Sequence, residues 1–136
     1  MKYYDLLVKA TIDEDFYSSN EIILSIIKED DSIEYVDNLL HFMEENPDVD
    51  YGMPGPLVHY MEKYYNNGYE ELLYNSINRN PTVHTLWMLN RILNSPILKE
   101  KEKYFLLLKQ VADNNESEII KEHANMYLQY QMENRL

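Results

Sequence analysis

Turn-forming residues are scarce in this sequence, and that scarcity constrains the fold more than any other feature. The chain has three glycines and five prolines in 136 residues. A fold of many short strands needs turn residues between them, so such a fold is unfavourable here. Apolar residues instead recur at steps of three and four, the spacing of one face of an α-helix. The sequence therefore predicts an all-α protein of seven to eight short antiparallel helices.

Polar residues and prolines indicate where the predicted helices begin. Asn20 precedes one apolar-periodic segment as an N-cap, and Asp31 or Ser32 precedes the next. Proline fits the first turn of a helix, because its missing N–H would have no partner within the helix. Three later segments are predicted to start at a proline: Pro56, Pro81 and Pro96.

Two arrangements of these helices fit the sequence. Short connections favour antiparallel neighbours, which form either a HEAT-like stack of helix pairs or a compact bundle. Pro56 and Pro96 are 40 residues apart, near the period of HEAT-type repeats. The stack is therefore the preferred arrangement, although no residue pattern recurs across that interval. We expect a single helical domain over residues 1–136, with an acidic N-terminal part (1–50) and a near-neutral scaffold (51–136).

Negative charge is concentrated at the start of the chain. The formal net charge is −12, and residues 1–50 hold fourteen acidic and three basic side chains, a net −11. The remaining residues hold ten acidic and nine basic side chains, a net −1. Like charges this close together repel, and solubility alone needs no such asymmetry. A solvated acidic face is one interpretation, and a surface that docks a cationic protein is the other.

Tyrosines accompany these acids, and tyrosine is enriched at protein interfaces because it offers a large contact area at a low entropy cost. Tyr17, Tyr35 and Tyr51 have acidic neighbours and are the preferred interface tyrosines. The alternative for any tyrosine is a half-buried ring with its hydroxyl at the surface. The predicted partner-binding residues are Glu29, Asp30, Asp31, Tyr35, Glu44, Glu45, Asp48, Asp50 and Tyr51.

Composition excludes several classes of function. The chain has no cysteine, so it has no disulfide, no thiolate metal ligand and no cysteine nucleophile. Its acidic charge opposes binding to nucleic acid and to anionic membranes. Residues 1–9 are too short and too charged for a signal peptide, and no window reaches about eighteen consecutive apolar residues. We therefore expect a cytoplasmic protein that contacts neither nucleic acid nor membrane, and a monomer, with a dimer as the alternative.

Motifs for catalysis and metal binding are incomplete. Residues 48–52 begin like a calcium-binding EF-hand loop, but glycine stands at the fifth position and His59 at the twelfth. His59 and Glu62 have a metal-ligand spacing, but a di-metal site in a helical bundle needs that motif twice. No phosphate loop and no nucleophile elbow are present. The sequence predicts a non-enzyme without metal or cofactor, in which His59 or His84 makes a hydrogen bond near a helix start.

Two segments of residues 50–94 match a known pattern. They are residues 52–59 (GMPGPLVH) with Glu62, and residues 85–91 (TLWMLNR). They resemble small all-helical immunity proteins that are encoded beside bacterial polymorphic or contact-dependent toxins. The resemblance implies a stoichiometric inhibitor of one cognate toxin, without a catalytic site. Many such toxins are nucleases with basic clefts, to which an acidic surface is complementary.

The first functional hypothesis is a bacterial immunity protein that occludes the active site of a basic toxin. The alternative is a helical-repeat adaptor, which would hold another protein in a groove lined by tyrosine and leucine. An enzyme of unrecognised type is the third hypothesis. It would need a closed pocket that contains His59 or His84 beside carboxylates of perturbed pKa.

Overall fold

The computed structural model describes residues 1–134, and this part of the chain is all-α. It contains eight helices and no strand. The helices are α1 (Tyr4–Ile12), α2 (Phe16–Glu29), α3 (Ile33–Glu45), α4 (Pro56–Glu62), α5 (Tyr69–Arg79), α6 (Val83–Leu93), α7 (Lys101–Asn114) and α8 (Glu118–Asn134). The predicted fold class is confirmed over the described residues.

The chain divides into two compact units, and the boundary falls inside α5. Unit 1 is Met1–Leu72, and unit 2 begins at Leu73. Residues 1–72 carry seventeen acidic and four basic side chains, a net −13. Residues 73–136 carry seven acidic and eight basic side chains, a net +1. The charge asymmetry of the sequence therefore coincides with a structural division.

The core of unit 1 follows the predicted apolar spacing. Helix α2 packs against α1 and α4. Most of the fully buried side chains lie three, four or seven positions from another on the same helix, as one buried helix face requires. The fully buried side chains include Leu7, Ile26, Val36, Leu39, Leu40, Met43, Val58 and Met61.

Helix α2 begins five residues earlier than the proposed Asn20 cap would place it. Asp15 is the N-cap, and its carboxylate accepts hydrogen bonds from the Ser18 N–H at 3.0 Å and the Ser18 hydroxyl at 2.7 Å. An aspartate cap satisfies a backbone donor that the first turn otherwise leaves unpaired. The cap at Ser32 is confirmed, because its hydroxyl oxygen accepts from the Glu34 N–H.

The three prolines differ in how well they predict a helix start. Pro56 is the first residue of α4, as predicted. Pro81 lies two residues before α6, because Thr82 and Thr85 form a reciprocal capping box that sets the start at Val83. Pro96 precedes an irregular stretch, and α7 begins only at Lys101. The prediction of a helix start at Pro96 was therefore wrong.

In unit 2, helices α6, α7 and α8 each pack against the other two. Mutual packing of three helices is the arrangement of a compact bundle, so within this unit the bundle fits better than the stack. Near its C-terminal end, α8 is joined to α6 by the buried Gln131. Its amide nitrogen donates to Asn90 Oδ1 at 2.7 Å and to Asn94 Oδ1 at 2.9 Å.

Glu100, which precedes α7, has a left-handed backbone conformation with φ of 55° and makes no side-chain capping bond. This conformation costs an ordinary residue about 1 kcal/mol, whereas asparagine tolerates it. We expect Glu100→Asn to raise the free energy of unfolding by about 1 kcal/mol, measured by urea denaturation. Glu100→Ala, which removes the same charge but keeps the strained conformation, is the control. An equal gain in both variants would contradict this explanation.

Candidate partner-binding surface

Tyr35 was predicted to contact a partner, but the structure places it in the core. Its side chain is fully buried, and its hydroxyl donates to Asp30 Oδ2 at 2.6 Å while it accepts from the Tyr3 N–H at 3.0 Å. The Asp30 carboxylate also accepts from the Lys2 N–H at 3.0 Å. This network joins the start of α1 to the α2–α3 connection. The interface prediction for Tyr35 is therefore corrected, because no partner can reach its side chain.

The network also fixes the charge states of its members. The hydrogen bonds from Tyr35 and from the Lys2 backbone stabilise the ionised Asp30 and hold its pKa below the ordinary value. The pKa of Tyr35 is raised mainly by burial of its side chain, and the hydrogen bond from Tyr35 to Asp30 raises it further. Near neutral pH the pair is a neutral hydroxyl that donates to a carboxylate. Asp30 is thus a structural acceptor in unit 1.

Asp31 has a similar structural role at the start of α3. Its carboxylate accepts from the Tyr60 hydroxyl at 3.0 Å and the Tyr64 hydroxyl at 2.7 Å, and it forms a salt bridge with Lys63. The Lys63 ammonium lies 5.0 Å from the centre of the Tyr64 ring, within the range of a cation–π contact. Asp31 thereby ties the α2–α3 connection to α4 and the turn after it. Asp31 is nevertheless exposed, so its role as a contact residue stays a prediction.

Two further predicted contact residues are buried. Tyr51 is 2% exposed, its hydroxyl donates to the Asn46 carbonyl at 2.7 Å, and its ring meets the Phe42 ring edge-on at 6.2 Å. Glu44 is 9% exposed and lies 3.9 Å from the ring of His41. Both residues are buried. The interface predictions for Tyr51 and Glu44 are therefore corrected as well.

The other predicted residues remain at the surface. Glu29, Glu45, Asp48 and Asp50 are all exposed. Glu29 lies 3.9 Å from the Lys2 ammonium, and the Asp50 carboxylate accepts from the Gly52 N–H at 2.9 Å. Asp30 and Asp31 lie in the α2–α3 connection, whereas Asp48 and Asp50 lie in the loop between α3 and α4.

Asp48 and Asp50 instead join a second acidic segment that the sequence analysis did not single out. The Asp50 N–H donates to Glu14 Oε1 at 3.3 Å, which places the α3–α4 loop beside the turn between α1 and α2. This turn carries three consecutive acids. Their side chains are exposed, as are those of Asp48 and Asp50 in the loop. We call the group the acidic corner, made of Asp13, Glu14, Asp15, Asp48 and Asp50.

The turn that carries Asp13, Glu14 and Asp15 has a defined conformation. Glu14 is left-handed, with φ of 55°. Asp13 pairs with Lys9 at 2.8 Å, and Asp15 caps α2. The hydrogen bonds from Ser18 lower the pKa of Asp15, so it is ionised at neutral pH. The run of three acids followed by an Asp-x-x-Ser capping pattern was the sequence signal for this turn.

Of the three tyrosines singled out by their acidic neighbours, only Tyr17 is exposed. It is 78% exposed on α2, directly after the acidic turn. The loop after Asp50 also approaches this end of α2, because a Cβ at Gly52 would lie 3.2 Å from Phe16 Cε2. The start of α2 therefore combines exposed aromatic surface with the acidic corner.

The two histidines considered for chemistry belong to different units, His59 to unit 1 and His84 to unit 2. His59 is exposed on α4, and its proposed partner Glu62 accepts from the Tyr65 hydroxyl at 2.9 Å. His84 is buried in the first turn of α6, with its ring 5.3 Å from the Trp87 ring. Among residues 1–134, no three histidine, aspartate or glutamate side chains are grouped as a metal site would require.

Comparison with protein-family models, with curated proteins and with solved structures finds no match for this chain. None of the helices in the described residues combines the length and the apolar character needed to cross a membrane.

Proposed function

We propose that this protein is an immunity protein that binds and neutralises a basic bacterial toxin through the acidic corner of unit 1. The observation that carries the proposal is the convergence of two loops, joined by the Asp50–Glu14 hydrogen bond, which gathers five exposed acids. Unit 1 holds a net −13 while the remainder of the chain holds +1. A surface of one sign steers an oppositely charged partner and raises its association rate.

The resemblance of residues 50–94 to immunity proteins of toxin systems supports the same proposal. The two matching segments, residues 52–59 and 85–91, have structural roles: the first forms the turn into α4, and the second lies within α6. Neither contributes to the acidic corner. In this proposal, the toxin is recognised by the acidic loops, and the matching segments maintain the scaffold.

The test is binding to the protein encoded by the adjacent gene, followed by growth protection when the two are co-expressed. We expect the double variant Glu14→Lys/Asp48→Lys to lower the association rate constant at least about tenfold at low salt and to weaken its salt dependence. The control is Glu116→Lys/Glu122→Lys, which changes the net charge equally at two exposed acids of unit 2. We expect it to change the rate constant less than about twofold.

Surface plasmon resonance at several ionic strengths measures these rates. Equal effects of the two double variants would mean that net charge, and not the acidic corner, controls association. Absence of both complex formation and growth protection would overturn the proposed function.

A further inference from the structure

Helix α2 presents a row of exposed apolar side chains on its outer side. Tyr17, Leu24 and Ile27 are 78%, 53% and 40% exposed, and the exposed Asn20 lies between them on the same side. At about 100° per residue, these four positions fall within about 80° of the helix circumference. We call this surface the α2 face. The buried Ser19, Ile23 and Ile26 lie on an adjoining side, about 110° around the helix from the centre of this face, and α2 packs against α1 and α4.

Three exposed apolar side chains on one side of a helix require an explanation, whereas a single exposed leucine would not. Isolated apolar residues are common on protein surfaces, but contiguous apolar surface rimmed by polar groups marks an interaction site. Glu21 and Lys28 lie on α2 beside Tyr17 and Leu24, so the charges along the row itself are mixed. The excess of negative charge lies at the start of the helix, in the acidic corner.

The charges decide which occupant fits the α2 face. A second copy of this chain would bring two units of net −13 together, and such like-charge contact is unfavourable. A partner with apolar side chains flanked by lysine or arginine would match both the row and the acidic corner at its start. Residues 17 to 27 span about 15 Å of helix, which matches about three turns of a second helix.

We infer that the α2 face docks an amphipathic helix whose apolar side is flanked by lysine and arginine. The acidic corner would attract the basic flank, and Tyr17, Leu24 and Ile27 would bury the apolar side. The assignment of this helix to the toxin rests on the proposed function.

The first experiment uses synthetic peptides. The probe is a fluorescein-labelled 18-residue amphipathic helix of leucine and lysine, about five turns long, and the control is a scrambled peptide of the same composition. We expect the chain to bind the amphipathic peptide at least tenfold more tightly than the scrambled one, as measured by fluorescence anisotropy. Equal binding of the two peptides would overturn the inference, because charge alone would then account for it.

The variant Leu24→Asp tests the apolar row stringently, because its added negative charge would by itself strengthen binding of a basic peptide. We expect at least a tenfold weaker affinity for the amphipathic peptide. The matched control is Leu106→Asp, at a 47% exposed leucine of unit 2, and we expect its affinity to stay within twofold. Circular dichroism checks that both variants fold. Equal affinities of the two variants would overturn the inference, as would a homodimer that Leu24→Asp dissociates in sedimentation experiments.

Binding to the adjacent gene's product separates this inference from the proposed function. If Leu24→Asp leaves toxin binding unchanged while Glu14→Lys/Asp48→Lys weakens it, the proposed function stands and the α2 face is overturned as the docking site. If the peptide results hold but no toxin binds, the docking face stands and the proposed function fails.

Discussion

Replacing Tyr35 with alanine is expected to lower the free energy of unfolding by about 3–5 kcal/mol. The side chain is fully buried, so its removal leaves a cavity and also deprives the Tyr3 N–H of its acceptor. Small domains are stable by only about 5–15 kcal/mol, so this loss would unfold a sizeable fraction of the molecules or leave them marginally stable. Urea denaturation followed by circular dichroism measures the change.

Tyr35→Phe is the matched variant, because it keeps the ring and removes only the hydroxyl. We expect it to cost about 1–2 kcal/mol, the usual effect of losing a hydrogen-bond partner in a partly buried network. An alanine variant that keeps wild-type stability but loses partner affinity would contradict the core assignment and restore Tyr35 as a contact residue.

The pH dependence of the Tyr35 effect follows from the two pKa shifts. Asp30 has a lowered pKa, so its stabilising contribution is present above the ordinary value and is lost as the pH falls through the folded pKa. Tyr35 has a raised pKa, so its contribution is present below the ordinary value and is lost as the pH rises through the folded pKa. The stability difference between the wild type and Tyr35→Phe should therefore be constant between about pH 5 and 9.

Gly55→Ala is expected to lower the free energy of unfolding by about 3 kcal/mol. Gly55 is buried at the start of α4, and a Cβ there would overlap the carbonyl oxygen of Tyr51 and lie 3.2 Å from Gly52 Cα. The atoms in the way belong to the backbone, so they cannot move aside as a flexible side chain could. The loop from Asp50 to Gly55 would have to open, and the same urea denaturation measures the cost.

The control for Gly55→Ala is Asp48→Ala, at an exposed position of the same loop. We expect it to change the stability by less than about 0.5 kcal/mol. If Gly55→Ala has as small an effect, then the close approach of the loop backbone to Gly55 is not required by the fold.

The helices could be predicted from the sequence because their signals are local. The spacing of apolar residues within each segment specifies a buried face, and caps such as Ser32 act over two or three residues. The errors occurred where several local signals compete. Asp15 was a better cap than Asn20 because Ser18 follows it, and Pro96 is compatible with an irregular turn as well as with a first helical turn.

The candidate binding surface was only partly predictable, because its decisive contacts join residues far apart in sequence. The count of charged residues located the acidic part of the chain. It could not show which carboxylates accept hydrogen bonds from other residues of the protein. The Tyr60 hydroxyl that occupies Asp31 is 29 residues away, and the Glu14 side chain that meets Asp50 is 36 residues away. Burial of Tyr35 and Tyr51 is likewise a tertiary effect, since exposed and buried tyrosines have the same local sequence pattern.

The aromatic residues are distributed so that the unfolding of each unit can be followed by a different spectroscopic signal. Trp87, the single tryptophan, lies in unit 2, while nine of the 13 tyrosines lie in residues 1–72. Tryptophan fluorescence therefore follows the melting of one unit, and tyrosine absorbance mainly that of the other. Coincident melting curves would indicate one cooperative domain, as the sequence predicts, and separate curves would indicate two independently folding parts.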